Sequence, residues 1–328
     1  MTNIEGNIKW GIIGCGDVCE VKSGPAFNKV SNSELVAVMR RDEAKAADYA
    51  KRHGVGKYYS DALSLINDKD VNAVYIATPP ASHEAFAAMA MKAGKPVYIE
   101  KPLSVDSDST QRIAAMSAKL QVKSSGAYYR RKLPLFQKVK EIIQSDQLGT
   151  ISLISIRLLL PRKLDGIAQT DFNWRIDPQF SGGGLFHDLA PHMLDIIYWI
   201  FGIPIHFTGK SLNQGKAYDA PDFTYLNATF SHNIALNGIW SFHMPPSEKE
   251  DTCHIIGEKG SLKFSFFDLN PLEVRSESNL EYFEFINPEN IQLNMIRDVV
   301  RYFRGEGENP CSIEDALVSM QMIDCASK

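Results

Sequence analysis

Three residues of this sequence could move a proton, and two of them have a spacing at which they could act together. Asp188 and His192 are four residues apart, which places both side chains on one face of a helix. A carboxylate one turn from an imidazole can fix the tautomer of that imidazole and raise its basicity. The third residue, Lys101, follows an apolar run and could transfer a proton or polarise a carbonyl. Taken alone, a surface lysine and a helix-surface ion pair are the more ordinary interpretations.

The residues around Asp188 indicate a helix that begins beside a tight backbone turn. Three glycines at residues 182–184 permit a close approach of backbone to ligand, and Asp195 extends the same helix face. Since Pro191 lacks an N–H, we expect it in the first helical turn. Asp188 would then lie near the positive end of the helix dipole, which keeps it ionised. No further metal ligands cluster nearby, so we predict no metal site.

A glycine turn after the first predicted strand is typical of a dinucleotide site. Gly14 and Gly16 match the first two glycines of the G-x-G-x-x-G/A pattern, and Cys19 takes the third position. The first glycine permits the tight turn, and the second lets the backbone approach a pyrophosphate at a helix N-terminus. Asp17 and Val18 complete the predicted cofactor-binding loop.

The end of the second predicted strand indicates which dinucleotide is bound. A site that prefers NAD places Asp or Glu there, whereas this chain has Arg40 followed by Arg41. An arginine suits the 2′-phosphate of NADP. Asp42 is the expected N-cap of the next helix. We therefore predict NADP as the cofactor, with NAD as the alternative, and two solvated loop arginines as the interpretation without function.

The elements that must position these residues change in kind after residue 125. The first part alternates short apolar strands with helices, which predicts a parallel sheet: strands at 8–13, 35–39, 73–77 and 96–100, helices at 42–53 and 82–93. The second part has a helix at 133–143, strands at 151–160, 226–230, 235–242, 252–256 and 261–266, and a helical tail from 288. We predict an α/β chain: a Rossmann domain over 1–125, then an α+β domain with an open, largely antiparallel sheet over 126–328.

Composition excludes several other classes of protein. The chain has 328 residues and a formal net charge of −4 without a basic run, so it lacks the footprint of a nucleic-acid binder. No apolar stretch is long enough to span a membrane. Five widely spaced cysteines fit a reducing compartment, and the N-terminus lacks a signal-peptide pattern. We expect a cytoplasmic protein.

Taken together, these strings resemble the family of glucose–fructose oxidoreductase and inositol dehydrogenase. The matching pieces occur in order along nearly the whole chain, at residues 11–18, 77–83, 100–102, 182–195 and 256–262. The resemblance implies a Rossmann domain and a second domain whose open sheet builds a homodimer or homotetramer. It also implies C-terminal helices that pack back on the first domain.

The resemblance also implies roles for particular residues. Lys101, Asp188 and His192 fall on the catalytic lysine, aspartate and histidine of the family. The positions that line the cofactor correspond to Thr78, Pro79, His83 and Glu100, with Lys101 itself. Two residues depart from the family pattern, since Ala190 replaces the usual glycine and Pro191 is unusual there.

The chemistry implied is oxidation of a sugar or polyol hydroxyl, or reduction of the carbonyl, with NAD(P). We expect four side chains to hydrogen-bond the substrate: Tyr129, Arg131, Trp174 and Arg175. For Tyr129 and Arg131 a plain role at the domain junction is an equal alternative. Two other functions stay open, a non-catalytic NAD(P)-binding regulatory protein and a glycosidase that uses NAD for transient oxidation.

Overall fold

The computed structural model describes residues 1–162 and 174–327 of the chain. They form two compact units, each with its own sheet. The first unit comprises Met1–Tyr129 and Pro288–Leu317, and the second comprises Arg130–Asn287 and Val318–Lys328. The predicted fold class is confirmed by the order and direction of the strands in the two sheets.

The first unit is built on a parallel sheet of short, largely buried strands. Its strands, among the described residues, are β1 (Ile8–Ile13), β2 (Ser33–Met39), β3 (Lys57–Tyr59), β4 (Ala73–Ile76), β5 (Val97–Ile99) and β6 (Ser124–Gly126). They lie in the order β3-β2-β1-β4-β5-β6, and every neighbouring pair is parallel. This is the order of the Rossmann fold, in which ligands bind beyond the carboxyl ends of the strands.

Helices connect these strands, and three of them begin at an aspartate whose side chain caps the helix. They are α1 (Asp17–Val21), α2 (Gly24–Lys29), α3 (Glu43–His53), α4 (Ala62–Asn67), α5 (His83–Lys92) and α6 (Ser107–Leu120). The predicted cap of α3 is confirmed, because the side chain of Asp42 accepts a hydrogen bond from the N–H of Lys45. The same helix ends at Gly54, whose φ of +66° suits glycine.

The second unit contains a mixed, mostly antiparallel sheet with helices on one face. Its described strands are β7 (Ile151–Pro161), β8 (His206–Leu212), β9 (Phe223–Thr229), β10 (Ala235–Met244), β11 (Glu250–Gly257), β12 (Gly260–Phe264), β13 (Leu272–Ser276) and β14 (Leu280–Phe283). The order is β14-β13-β12-β11-β7-β10-β9-β8, in which β7 and β10 are parallel and the other neighbours antiparallel. The helices of this part are α7 (Pro134–Gln144), α8 (Pro178–Ser181) and α9 (Leu185–Phe201).

Helix α9 packs on the inner face of this sheet through aromatic and sulfur contacts. The ring of Trp240, on β10, lies edge-on to Phe186 with centroids 5.2 Å apart, and its Nε1 is 3.1 Å from the sulfur of Met193. On the opposite face, β9 presents Tyr225 and Asn227 to solvent. One face of the sheet therefore positions α9, while the side chains of Tyr225 and Asn227 on the other face are exposed among the described residues.

Two helices follow the second sheet, α10 (Leu293–Arg304) and α11 (Ile313–Ser327). The predicted apolar face of the tail is confirmed for Met295, Val299 and Phe303, which are buried on α10, whereas Ile291 lies before that helix begins. Within residues 1–162 and 174–327, no helix combines the length and apolar character needed to cross a membrane.

Candidate active site

The glycine turn of the first unit has the shape of a dinucleotide cradle. Gly14 has a φ of +91°, and a Cβ built there would lie 2.6 Å from Cγ2 of Thr78, so only glycine fits. Gly16 is the N-cap of α1, and its Cβ would meet only the carbonyl oxygen of Gly14, at 4.0 Å. The protein thus leaves open the space beside Gly16, as a closely approaching pyrophosphate requires. Asp17 is exposed and Val18 half-buried at the start of α1.

Arg40 lies against this turn at the carboxyl end of β2. Its Nη1 donates to the carbonyl oxygen of Cys15 over 3.4 Å, and its side chain is half-exposed. Arg41 is exposed. A guanidinium held beside the glycine loop is suited to bind a phosphate in bidentate fashion.

His83 is buried in a position that holds two loops together. Its Nε2 donates to the carbonyl oxygen of Thr78 over 2.6 Å, and its Nδ1 is 3.1 Å from that of Pro102. The ring is 0% exposed, and burial lowers its pKa. The implied role of His83 as a cofactor-lining residue stays a prediction; in this structure its buried ring is hydrogen-bonded to Thr78. Thr78 and Pro79 are themselves half-exposed.

Glu100 belongs to a buried hydrogen-bond network at the end of β5. Its carboxylate, 5% exposed, accepts from the hydroxyl of Tyr75 over 2.5 Å and from Nε2 of Gln292 over 2.6 Å. The implied cofactor contact of Glu100 stays a prediction, and these two hydrogen bonds of its carboxylate lie inside the first unit. Lys101 follows, half-buried, at the carboxyl end of the strand, and its peptide bond to Pro102 is cis.

In the second unit, Asp188 and His192 both lie on α9, one turn apart. They are 9% and 4% exposed, respectively. The helix begins after Gly184, whose φ is +85° and where an added Cβ would lie 2.6 Å from the Cβ of Ala220. Pro191 is the seventh residue of α9, so the expectation that it lies in the first turn is wrong; the helix starts earlier, directly at the glycines.

Asp188 is paired with an arginine that the sequence had marked for substrate binding. Nε of Arg175 donates to Oδ2 of Asp188 over 3.2 Å, and the guanidinium lies 4.6 Å from the centre of the Trp174 ring. Both Trp174 and Arg175 are half-buried. This contact places a positive charge beside the carboxylate.

The other two predicted substrate-binding residues are buried. Tyr129 and Arg131 are 5% and 2% exposed, and the boundary between the units falls between Tyr129 and Arg130. Nη2 of Arg131 donates to Oδ1 of Asp195 over 2.6 Å. Substrate binding by these two side chains and the alternative role at the domain junction both stay predictions.

Comparison with known proteins decides the family. The family model described as an oxidoreductase family with an NAD-binding Rossmann fold matches residues 8–128, and that of the GFO/IDH/MocA C-terminal domain matches residues 136–263. Oxidoreductase P35 of Formosa agariphila is 41% identical over 98% of this chain and 98% of its own.

The chain belongs to the GFO/IDH/MocA family of oxidoreductases.

Relatives within this family include dehydrogenases. Inositol 2-dehydrogenase 2 of Saccharopolyspora erythraea is 28% identical, over 65% of this chain and 59% of its own length. The structure of levoglucosan dehydrogenase in complex with NADH has the same fold, with a TM-score of 0.86 and 19% identity over 98% of this chain and 96% of that one. The resemblance expected from the sequence is thus confirmed, and the chain is an NAD(P)-binding oxidoreductase of this family.

Two residues near the site escaped the sequence reasoning. Gln292 reaches Glu100 from 192 positions along the chain, and no local pattern marks it. Phe267 lies beside His192 with ring centroids 6.0 Å apart. Its only signal was a place just after a predicted strand, which many aromatic residues share.

Proposed function

We propose that this GFO/IDH/MocA oxidoreductase transfers hydride between NADP and a hydroxyl-bearing carbon of a sugar, sugar derivative or cyclic polyol. The observation that carries the proposal is the buried pair on α9, where Asp188 and His192 are one turn apart. A regulatory protein that only binds a dinucleotide needs no such acid–base pair, so the pair favours an enzyme of this kind.

The residues of the first unit fit a dinucleotide. Gly14 and Gly16 would cradle the pyrophosphate, with Asp17 and Val18 at the start of α1, while Thr78 and Pro79 would line the nicotinamide side. The nicotinamide, when bound, supplies or accepts the hydride. Arg40, with Arg41 next to it, would hold a 2′-phosphate, and for this reason we propose NADP over NAD.

Proton movement falls to the second unit and to Lys101. In the proposed mechanism His192 takes the proton of the substrate hydroxyl during oxidation, or returns it during reduction. Asp188, held by Arg175, orients that imidazole and stabilises its charged form. Lys101 donates a hydrogen bond to the reacting oxygen and stabilises the negative charge that develops there.

The assembly we propose is a homodimer or homotetramer. Its support is the outer face of the second sheet, which carries exposed side chains such as Tyr225 and Asn227 and is covered by no element of the described chain. Burying this face against a second copy would give a self-complementary interface with two-fold symmetry.

The test is a panel of sugars and cyclic polyols assayed by the absorbance of the reduced cofactor, with NAD and NADP in parallel. The proposal expects turnover of at least one ring compound, and a higher kcat/KM with NADP. Release of a free sugar from a glycoside without a change in cofactor absorbance would establish the glycosidase instead. Tight binding of cofactor with no turnover of any compound would favour the regulatory protein.

A further inference from the structure

A buried carboxylate of the second unit fixes a short loop beside His192. Asp251, on β11, is 6% exposed. It accepts hydrogen bonds from three consecutive main-chain N–H groups, those of Phe266, Phe267 and Asp268, over 3.0, 2.6 and 2.9 Å. Burial raises the pKa of Asp251, and the three N–H donors oppose that effect. These three hydrogen bonds anchor the backbone of the loop after β12 to Asp251.

Arg130 fixes the same loop from another side. Its Nη1 donates to the carbonyl oxygen of Phe266, and its guanidinium lies 4.5 Å from the centre of the Phe267 ring. Arg130 is 9% exposed, so this contact is largely shielded from water. One face of Phe267 is thus occupied by a cation, which orients the ring.

The oriented ring reaches the candidate catalytic imidazole. The rings of Phe267 and His192 have centroids 6.0 Å apart and an interplanar angle of 70°, an edge-to-face contact. Phe267 is half-buried, whereas Phe264 and Phe266 are 2% exposed and belong to the core. An aromatic side chain that is anchored through its backbone, stacked by an arginine and left partly open beside a proton-transfer group has the features of a substrate-binding wall.

We infer that Phe267 is the apolar wall of the substrate site beside His192, and that it selects ring-shaped sugars and cyclic polyols over open-chain polyols. A pyranose or cyclitol ring presents a face rich in C–H groups, which packs against the negative face of an aromatic ring. An open-chain polyol has no such rigid face, and it loses more conformational entropy on binding. This inference rests on the proposed function and adds the shape of the substrate to it.

The kinetic test compares Phe267→Leu with wild type on a matched pair of compounds, 1,5-anhydro-D-glucitol and D-glucitol, together with myo-inositol. We expect Phe267→Leu to lose about tenfold in kcat/KM on the ring compounds and less than about twofold on D-glucitol. Phe267→Tyr should keep the preference for rings. Phe201→Leu, a half-buried phenylalanine at the end of α9, is the matched control and should behave as wild type. An equal loss on ring and open-chain compounds, or no loss, overturns the inference.

A second measurement needs no substrate. The Hε1 proton NMR resonance of His192, assigned by its loss in His192→Gln, is shifted by the ring current of Phe267. This resonance should therefore move in Phe267→Leu. It should also move in Asp251→Asn, where the loop loses the carboxylate that anchors it. A resonance that stays in place in both variants overturns the contact on which the inference depends. If the resonance moves but wild type turns over no sugar or polyol at all, the proposed function fails, and the selection of rings fails with it. If wild type turns over both kinds of compound and Phe267→Leu changes neither preference nor rate, only the inference on Phe267 fails.

Discussion

Arg131 and Asp195 form a two-pronged ion pair inside the second unit, with Nη2 2.6 Å from Oδ1 and Nε 2.9 Å from Oδ2. Both side chains are buried, at 3% and 1% exposure. Asp195 lies one turn after His192 on α9, so the pair holds α9 against the segment that opens the second unit.

Arg131→Met should therefore destabilise the fold by about 3–5 kcal/mol, because it leaves a buried carboxylate without its cation. The double variant Arg131→Met with Asp195→Leu should recover much of that loss, since no unpaired charge then remains. Urea denaturation measures both. A double variant as unstable as the single one would show that the pair contributes more than charge compensation.

The two glycines of the turn should respond differently to the same substitution. Gly14→Ala places a Cβ 2.6 Å from Thr78 and forces a left-handed backbone on alanine, so it should lower both stability and cofactor affinity. Gly16→Ala meets no protein atom closer than 4.0 Å, so it should unfold as wild type does yet bind the dinucleotide more weakly. Thermal unfolding without ligand and titration with the reduced cofactor separate the two effects. If Gly16→Ala binds the dinucleotide as tightly as wild type does, the pyrophosphate does not bind at this turn.

Replacing Arg40 should change the choice of cofactor. Arg40→Ser removes the guanidinium beside Cys15, and kcat/KM with NADP should fall by about 10–100-fold, the value of a charge-assisted hydrogen bond. With NAD, which lacks the 2′-phosphate, the value should change little. Steady-state kinetics with both cofactors gives the ratio, and an equal change with NAD and NADP would contradict the assignment of Arg40 to the phosphate.

The stability of the protein should fall in mild acid because of one buried histidine. Burial lowers the pKa of His187 to about 4. Its unfolded pKa is near the ordinary ~6.5, so the unfolded state binds more protons between these values. The contribution of His187 to the free energy of unfolding is complete above pH ~6.5. It falls by up to about 3 kcal/mol as the pH drops to ~4.

Denaturant unfolding over this pH range should show that the free energy of unfolding falls more steeply with decreasing pH in wild type than in His187→Leu. The difference in slope should correspond to the uptake of about one more proton on unfolding. His206→Gln, which removes an exposed imidazole from β8, serves as the control. If the free energy of unfolding has the same slope against pH in wild type and in His187→Leu, His187 is protonated in the folded state as readily as in the unfolded one.

The sequence indicates local structure well where one short segment determines it. The strand, the turn at Gly14 and the helix that follows are set by residues within a few positions, and so is the cap at Asp42. The same holds for the helical spacing of Asp188 and His192. The position of Pro191 predicts a later start of α9 than the structure has, because the helix begins directly after Gly184 and continues through the proline.

Roles that depend on distant partners could not be predicted in this way. The carboxylate of Glu100 is bound by Tyr75 and Gln292, which lie 25 and 192 positions away along the chain. The guanidinium of Arg131 is bound by Asp195, which lies 64 positions later in the chain. In each case a buried polar group had to be satisfied by a partner that only the folded chain brings near.

The most direct test of the account is single-turnover hydride transfer in Lys101→Met, on a compound that the wild-type enzyme oxidises. We predict a rate lower by about 10²–10⁴-fold, with the dissociation constant for NADP within about threefold of wild type. Lys119→Met, which changes an exposed lysine on α6, should match wild type in both quantities. A Lys101→Met enzyme that transfers hydride at the wild-type rate would contradict the assignment of the reacting oxygen to Lys101.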